Sequence, residues 1–255
     1  MAGEMIKTEA VCLGIYPWSR TSHIVSWLTP HGKVRTMVKG AARAKSFFLG
    51  QYDLNYTCEI VYYARAKGEL HALRECTPLK LRDHLRGDWR RLALAEYMRK
   101  VTAELTPHGR EAEEWKGLLE SYLDAEGDGN PVAEMLEFEI SALNLAGVSP
   151  DFTGCKAPSS MFYIEEGAFS GQSSRQMPVT PMVAACLLRP RREKNLNILL
   201  DAARVIGVYY TFHLDFPPDA RRTVLKIISK EQEEKHEEND CRSGAGGSGA
   251  GRMQP

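Results

Sequence analysis

In the first 80 residues apolar positions recur at every second place within short runs, and turn residues separate the runs: IKTEAVCLG, SHIVSWLT, KVRTMVKG, NYTCEIVYYAR and ELHALREC. The breaks fall at Tyr16-Pro17, at Thr29-Pro30-His31-Gly32, at Gly50 and at Lys67-Gly68. Five short strands at roughly regular spacing predict a small closed barrel or sandwich. In the fourth run Tyr56, Cys58, Ile60 and Tyr62 share one face, and Thr57, Glu59 and Val61 share the other. In the third, Val34, Thr36 and Val38 face one way, while Lys33, Arg35, Met37 and Lys39 face the other.

From about residue 81 the period becomes helical. Leu85, Trp89, Leu92, Met98, Val101 and Leu105 form one apolar stripe, broken by Thr106-Pro107 and Gly109. A second helix is predicted over Glu111 to Leu123, with Trp115, Leu118, Leu119 and Tyr122 inside, ended by the turn GDGNP at 127–131. A third covers Val132 to Leu145 and stops at Gly147. Residues 148–178 are irregular, with a small hairpin expected in MFYIEEGAFS. A short helix over Pro181–Leu188, a long one over Asn195–Leu214 and a last one from Pro218 to about Lys230 complete the pattern. The tail 231–255 joins the charged EQEEKHEEND to GAGGSGAG and is expected to be disordered. The fold class is therefore α+β in two domains: a β domain over 1–80, an all-α domain over 81–230 with the excursion 148–178, and the tail.

Composition narrows the function classes. The chain has 255 residues, 43% apolar and 26% charged, an ordinary globular balance long enough for a sizeable core. No apolar run approaches the ~18 residues of a membrane span. The N-terminus MAGEMIKTEAVCLG lacks a signal-peptide pattern, so a cytoplasmic location is expected. The six cysteines are scattered with no Cys-x-x-Cys pair, which fits reduced thiols. Formal net charge is zero, yet residues 1–80 carry 11 Lys/Arg against 6 Asp/Glu, and residues 81–150 carry 8 against 14. Between Glu9 and Asp53 there are six basic residues and no acidic one.

No catalytic constellation emerges. Gly244, Gly246 and Gly249 satisfy G-x-G-x-x-G, but they lie in a polar tail without the flanking strand and helix that motif needs. G-x-x-x-x-G-K-[ST], H-E-x-x-H and G-x-S-x-G are absent from the sequence. The chain reads as a binding protein rather than an enzyme. The rival is an unrecognised active site in the helical domain, which convergent, strongly perturbed titratable groups would reveal.

The strongest positive signal is the run KVRTMVKGAARAKSF, residues 33–47, with five Lys or Arg in fifteen positions. A cationic strand edge running through the turn at Gly40 into a cationic loop attracts phosphates. Aromatics interleave it: Trp18 with Arg20 before it, Trp27 on the preceding strand, and Phe47, Phe48 and Tyr52 after it. Single strands are bound by such a combination of cationic groove and stacking rings, and five-stranded oligonucleotide-binding (OB) barrels provide the groove. The candidate contacts are Lys33, Arg35, Lys39, Arg43 and Lys45, with Arg20 and the exposed rings of Phe47 and Trp18; Trp27 and Phe48 fit a core role at least as well.

The run SRTSHIVSWLTPHGKVRTMVKGAARAKS resembles the N-terminal domain of the bacterial recombination-repair mediator RecO family, through Thr29-Pro30-His31-Gly32 and Val38-Lys39-Gly40-Ala41-Ala42-Arg43-Ala44-Lys45-Ser46. LNLAGVSPDFTGC and YYTFHL extend the likeness to about residue 215. The resemblance implies an OB-fold β-barrel followed by a helical domain and a non-enzymatic role in DNA repair and recombination. It implies binding of single- and double-stranded DNA, annealing of complementary strands, and loading of RecA with RecR onto DNA coated by single-strand-binding protein (SSB). It also implies contact with the acidic, hydrophobic SSB tail, and a nucleoid-associated cytoplasmic place. Many members of the family hold a zinc ion with two Cys-x-x-Cys pairs. Here only Cys155 stands in that pattern, and Ser170–Arg175 has no cysteine, so no zinc is expected and the excursion must be held by packing or be mobile. Arg189, Arg191 and Arg192, with Lys194, lie beside Leu187-Leu188 and form either an acidic-peptide site or a solvated loop. An RNA-binding OB module remains the alternative function, because phosphates do not distinguish DNA from RNA.

Overall fold

All five predicted strands form in the computed structural model, which describes residues 4–65, 69–107, 112–127, 129–214 and 219–229. They are β1 (Met5–Pro17), β2 (His23–Thr29), β3 (Gly32–Val38), β4 (Thr57–Tyr63) and β5 (Leu70–Lys80). They close into a barrel in the order β1-β2-β3-β5-β4. All ladders are antiparallel except β3 with β5, which pairs Arg35 to Leu70 and Met37 to Ala72 in parallel. This is the OB-type barrel. Its interior is filled by Ala10, Cys12, Trp27, Val38, Cys58, Ile60 and Tyr62. The Trp27 indole donates to Thr36 Oγ1 at 2.8 Å, so the largest core side chain also satisfies its one polar atom.

β1 is apolar on both faces for a structural reason. Ala10 and Cys12 point into the barrel, while Val11 and Leu13 belong to the core of the helical domain. Two strand boundaries differ from expectation. β1 continues through Tyr16 and Pro17, which the sequence marks as a break; Pro17 is the last residue of the strand, where a missing N–H is tolerated. β5 continues past Cys76 to Lys80, with Pro78 opposite Cys58 where the register shifts.

The helical region begins with a 3-10 turn over Asp83–Gly87. Then come α1 (Trp89–Leu105), α2 (Ala112–Leu123), α3 (Pro131–Leu145), α4 (Pro181–Leu188), α5 (Leu196–Leu214) and α6 (219–229). Caps fix the starts: Asp88, Asn130 and Thr180 accept from backbone N–H groups two or three residues on. The stripe predicted for the first helix forms in part: Leu85, Met98 and Val101 are buried, and Leu105 packs against the same core. Leu94, Ala95, Tyr97, Met98 and Val101 are buried, whereas Trp89 and Leu92 are exposed. At about 100° per residue, Trp89 and Leu92 fall on the face of α1 opposite Met98, Val101 and Leu105, and Leu94, Ala95 and Tyr97 fill the buried side. Gly109 and the expected Glu111 start of the second helix lie outside the described residues, as do Lys67-Gly68 and the tail 231–255.

In the excursion a hairpin does form, but its strands are β6 (Ser160–Tyr163) and β7 (Gln176–Val179), wider apart than MFYIEEGAFS predicts. It is packed, not loose. Phe152, Phe162, Ile164 and Val179 are buried in the helical core, and Phe162 stacks on Phe152 with ring centroids 5.0 Å apart. The 166–173 loop is closed by Glu166, which accepts from the backbone of Gln172 and Ser173 and from the Ser173 hydroxyl.

The deepest polar contact fastens α6. Glu139 on α3 is fully buried and receives Arg221 on both oxygens, at 2.7 and 2.8 Å, together with the Tyr97 hydroxyl. Burial and the Glu139 charge push the Tyr97 hydroxyl far above its ordinary pKa, so it stays a donor.

Candidate nucleic-acid interface

β3 alternates as predicted. Thr36 and Val38 are buried in the barrel, and Arg35 and Lys39 are exposed. Beyond Val38 the chain turns at Gly40, whose φ of 70° favours a residue without a side chain. The Arg43 side chain folds back over it, its Cδ 3.3 Å from where a Cβ would stand. Arg43 and Lys45 are exposed. The turn between β1 and β2 comes to this loop: Ala42 N–H donates to Thr21 O at 3.2 Å, and Gly40 N–H to Ser22 Oγ at 3.4 Å. That brings Trp18 and Arg20 beside the basic loop. The backbone within 18–22 is tied by Trp18 N–H to Ser22 O at 2.9 Å.

Two rings stand out from this surface. Phe47 is 96% exposed and Trp18 62%. Trp27, Phe48 and Tyr52 pack with the barrel core instead. Sequence reasoning treats Tyr16 only as part of a turn. It lies on β1 two residues before Trp18 and is 54% exposed. The signal that could have found it is the alternation of Gly14 and Tyr16 near the end of β1.

The cations divide sharply by their partners. Arg20, Arg35, Lys39, Arg43 and Lys45 have no carboxylate within ion-pair distance among the described residues. Lys33, from the same basic run, does not join them. It is partly buried, and its ammonium donates to Ala103 O on α1 at 2.8 Å. One of its three donors is thus taken up by a tie between barrel and helices.

The other barrel-side cations meet the acidic helical segment. Arg82 is buried and donates through Nε to Asp124 Oδ1 at 2.7 Å, through Nη1 to Asn55 O, and lies 3.5 Å from Glu120. Lys80 reaches Asp124 at 2.6 Å. Glu120 also accepts from Lys116 at 2.7 Å and from the Thr57 hydroxyl at 2.6 Å. Burial raises the Glu120 and Asp124 pKa values, but the hydrogen bonds and charges of Lys116, Thr57, Lys80 and Arg82 outweigh it and hold both carboxyls below their usual range. Part of the surplus acid in 81–150 thus neutralises cations at the domain junction.

The second predicted cluster is also assembled. Arg189, Arg191 and Arg192 line a cleft of about 350 Å³ with Ile140, Leu187 and Leu188. Arg191 is engaged there, pairing with Glu137 and lying 5.7 Å over the Tyr122 ring. Arg189 and Arg192 are exposed, with no carboxylate partner among the described residues.

Cys155 sits near the carbonyl of Val179, at 3.6 Å. Among the described residues no group of three or more His, Cys, Asp and Glu converges as metal ligands. Burial pushes the Cys186 thiol up to about 11, and the Cys12 and Cys76 thiols higher still, Cys76 chiefly through its hydrogen bond with Cys58. These are structural thiols, not activated ones. No helix among the described residues is long and apolar enough to cross a membrane.

Comparison with known proteins matches residues 1–82 to the family model "Recombination protein O N terminal" and residues 86–222 to "Recombination protein O C terminal". The DNA repair protein RecO of Anaeromyxobacter sp. (strain K) is 29% identical over 154 residues, 60% of this chain and 61% of that protein. The protein of the same name from Rhodopirellula baltica is 31% identical over 158 residues, covering 57% of this chain and 55% of that one. Its counterpart in Anaeromyxobacter dehalogenans (strain 2CP-C) is 26% identical over 200 residues, 73% and 79% of the two chains. The matched segment thus spans about three fifths of the length of the first of these relatives.

Proposed function

The chain belongs to the recombination protein O family, and on that premise we propose that it is a DNA-binding mediator in DNA repair and recombination, working without catalysis of its own. It holds single and double strands by their phosphates, anneals complementary strands, and with RecR helps load RecA onto SSB-coated single strands in the bacterial cytoplasm. One observation carries this reading: Arg20, Arg35, Lys39, Arg43 and Lys45 stand exposed on one stretch of the barrel surface, unpaired among the described residues, with Trp18 and Phe47 projecting beside them. Unpaired cations keep their full attraction for phosphate. A site that contacts backbone and stacks bases without reading their edges suits strand annealing.

The arginine cleft on α4 supports the second part. Arg189 and Arg192 beside Leu188 fit a peptide that carries both carboxylates and apolar side chains, as the SSB tail does. Such a peptide would have to share Arg191 with Glu137. The packed excursion supports the reading that this chain holds no zinc.

Titration of labelled single-stranded DNA across a salt series tests the main reading, with wild type and Lys39→Glu/Arg43→Glu/Lys45→Glu compared. The variant is expected to bind far more weakly, with a log–log salt slope flatter by ~0.7 for each phosphate no longer neutralised. Unchanged affinity and slope in a folded variant would place the nucleic acid elsewhere. Competition between matched DNA and RNA separates this function from RNA binding.

A further inference from the structure

Where barrel and helices meet, β1 and α1 flank a cleft of about 450 Å³ that nothing above uses. That volume lies within the range of small-ligand sites, ~300–1,000 Å³. Ile15, Tyr16 and Leu54 supply apolar surface, and Arg99, Lys100 and Glu104 on α1 supply polar groups.

Two features indicate a built site. The first is Arg99, only 6% exposed. Its Nη1 donates to Leu13 O and its Nη2 pairs with Glu96, but its Nε is buried and has no hydrogen-bond partner among the described residues. These two contacts fix the guanidinium at the wall of the cleft. The second is the placement of Tyr16. Its ring lies against Gly14, so a Cβ there would sit 2.6 Å from the Tyr16 hydroxyl oxygen and 2.8 Å from two ring carbons. Glycine at this point lets the ring lie along the strand at the edge of the cleft. The ladder with β2 is irregular at the same place, between Cys12 and Gly14.

We propose that this cleft receives an unpaired nucleobase from the bound strand, with Tyr16 stacking on it. The inference rests on the nucleic-acid-binding reading above. Arg99 and Lys100 on the cleft wall can donate to a base carbonyl or ring nitrogen, and Glu104 can accept from an exocyclic amine. Glu104 also makes the cleft unsuited to a phosphate, and the apolar walls and ring suit a base face. The path is continuous. Trp18 follows just past the end of β1, and the 18–22 turn that it opens is bonded to the basic loop through Ala42. Lys100, paired with Glu96 at 3.2 Å on the exposed side of α1, stands where the emerging backbone would pass. Bases locked in a duplex cannot enter, so the cleft adds affinity for single strands alone.

The test uses the full chain. A 2-aminopurine within a single-stranded oligonucleotide should lose fluorescence on binding to wild type and lose less on binding to Tyr16→Ala. Ala103→Phe, which fills the cleft from α1, and Tyr16→Ala should each weaken single-strand binding about ten-fold, the scale of one base–aromatic stack. Both should leave duplex affinity and the salt slope unchanged, because every phosphate stays neutralised as before. Equal losses on single strand and duplex would overturn the proposal, as would undiminished single-strand binding by a folded Ala103→Phe. Should that variant misfold, equal 2-aminopurine quenching by wild type and Tyr16→Ala overturns it alone. The charge-reversed variant tells the two readings apart. Its unchanged binding would sink the nucleic-acid path, whereas weakened binding by it beside unaffected cleft variants would sink only the base site.

Discussion

At one end of β3, Lys33 bends to a helix carbonyl, and at the domain junction Lys80 and Arg82 are held by Asp124 and Glu120. Further along β3, and through the loop that follows, Arg35, Lys39, Arg43 and Lys45 meet no carboxylate among the described residues. The residue types are the same. What differs is whether the fold supplies an anion or a carbonyl. Where it does, the cations bind barrel to helices. Where it does not, their charge is left unmatched among the described residues.

That contrast can be pressed hardest where matching is most complete. Arg221→Ala leaves the Glu139 charge buried and unpaired, and should cost ~3–5 kcal/mol, read as a fall in Tm of roughly 10 °C. A fall of only a degree or two would show that buried matching is not what holds α6. At the junction, Glu120→Gln removes a charged acceptor of two hydrogen bonds and should cost ~1.5–3 kcal/mol in denaturant titration.

The same carboxyls make a pH prediction. Glu120 and Asp124 have folded-state pKa values below 4.5 and 3.8, their ordinary values. Their contribution is complete above those values and is lost as pH falls through the lower folded ones. Wild type should therefore lose stability more steeply than Glu120→Gln as pH falls below 4.5. Parallel curves would mean the junction carboxyls are not tuned by their partners. At the unmatched end, Arg43→Ser/Lys45→Ser should move Tm by no more than ~1 °C while weakening DNA binding severalfold. A large drop in Tm would mean these cations are structural after all. The smallest effect belongs to the excursion. Since Phe152 and Phe162 hold it, a strong zinc chelator should leave Tm unchanged, and metal analysis of the purified chain should find no stoichiometric zinc.

Strand periodicity made the barrel legible, because a closed sheet with a packed interior forces alternation on each strand. Helix positions were legible through their caps and breakers, such as Thr180-Pro181 and Gly147. The exposure of Trp89 and Leu92 was not, because α1 carries large apolar residues on both faces and only packing shows which face is buried. The basic loop was legible as charge, but the fate of Lys33 was not. Its acceptor is a backbone carbonyl 70 residues away, which carries no side-chain signature. The same holds for Arg221, whose carboxylate lies 82 residues earlier in the chain. The orphaned nitrogen of Arg99 belongs to the same class, since only the packed structure shows which of its donors is satisfied.

Arg82 holds the left-handed backbone conformation, with φ of 56°, at the point where the chain leaves the barrel. For a residue with a Cβ this is a strained setting, kept because the side chain is anchored to Asn55, Asp124 and Glu120. A joint of this kind cannot swing freely. It transmits torque: a strand pulled across the barrel would turn the helices with it. Whatever protein the helical domain grips would be presented to the nucleic acid at one fixed angle, as on a bracket rather than a tether.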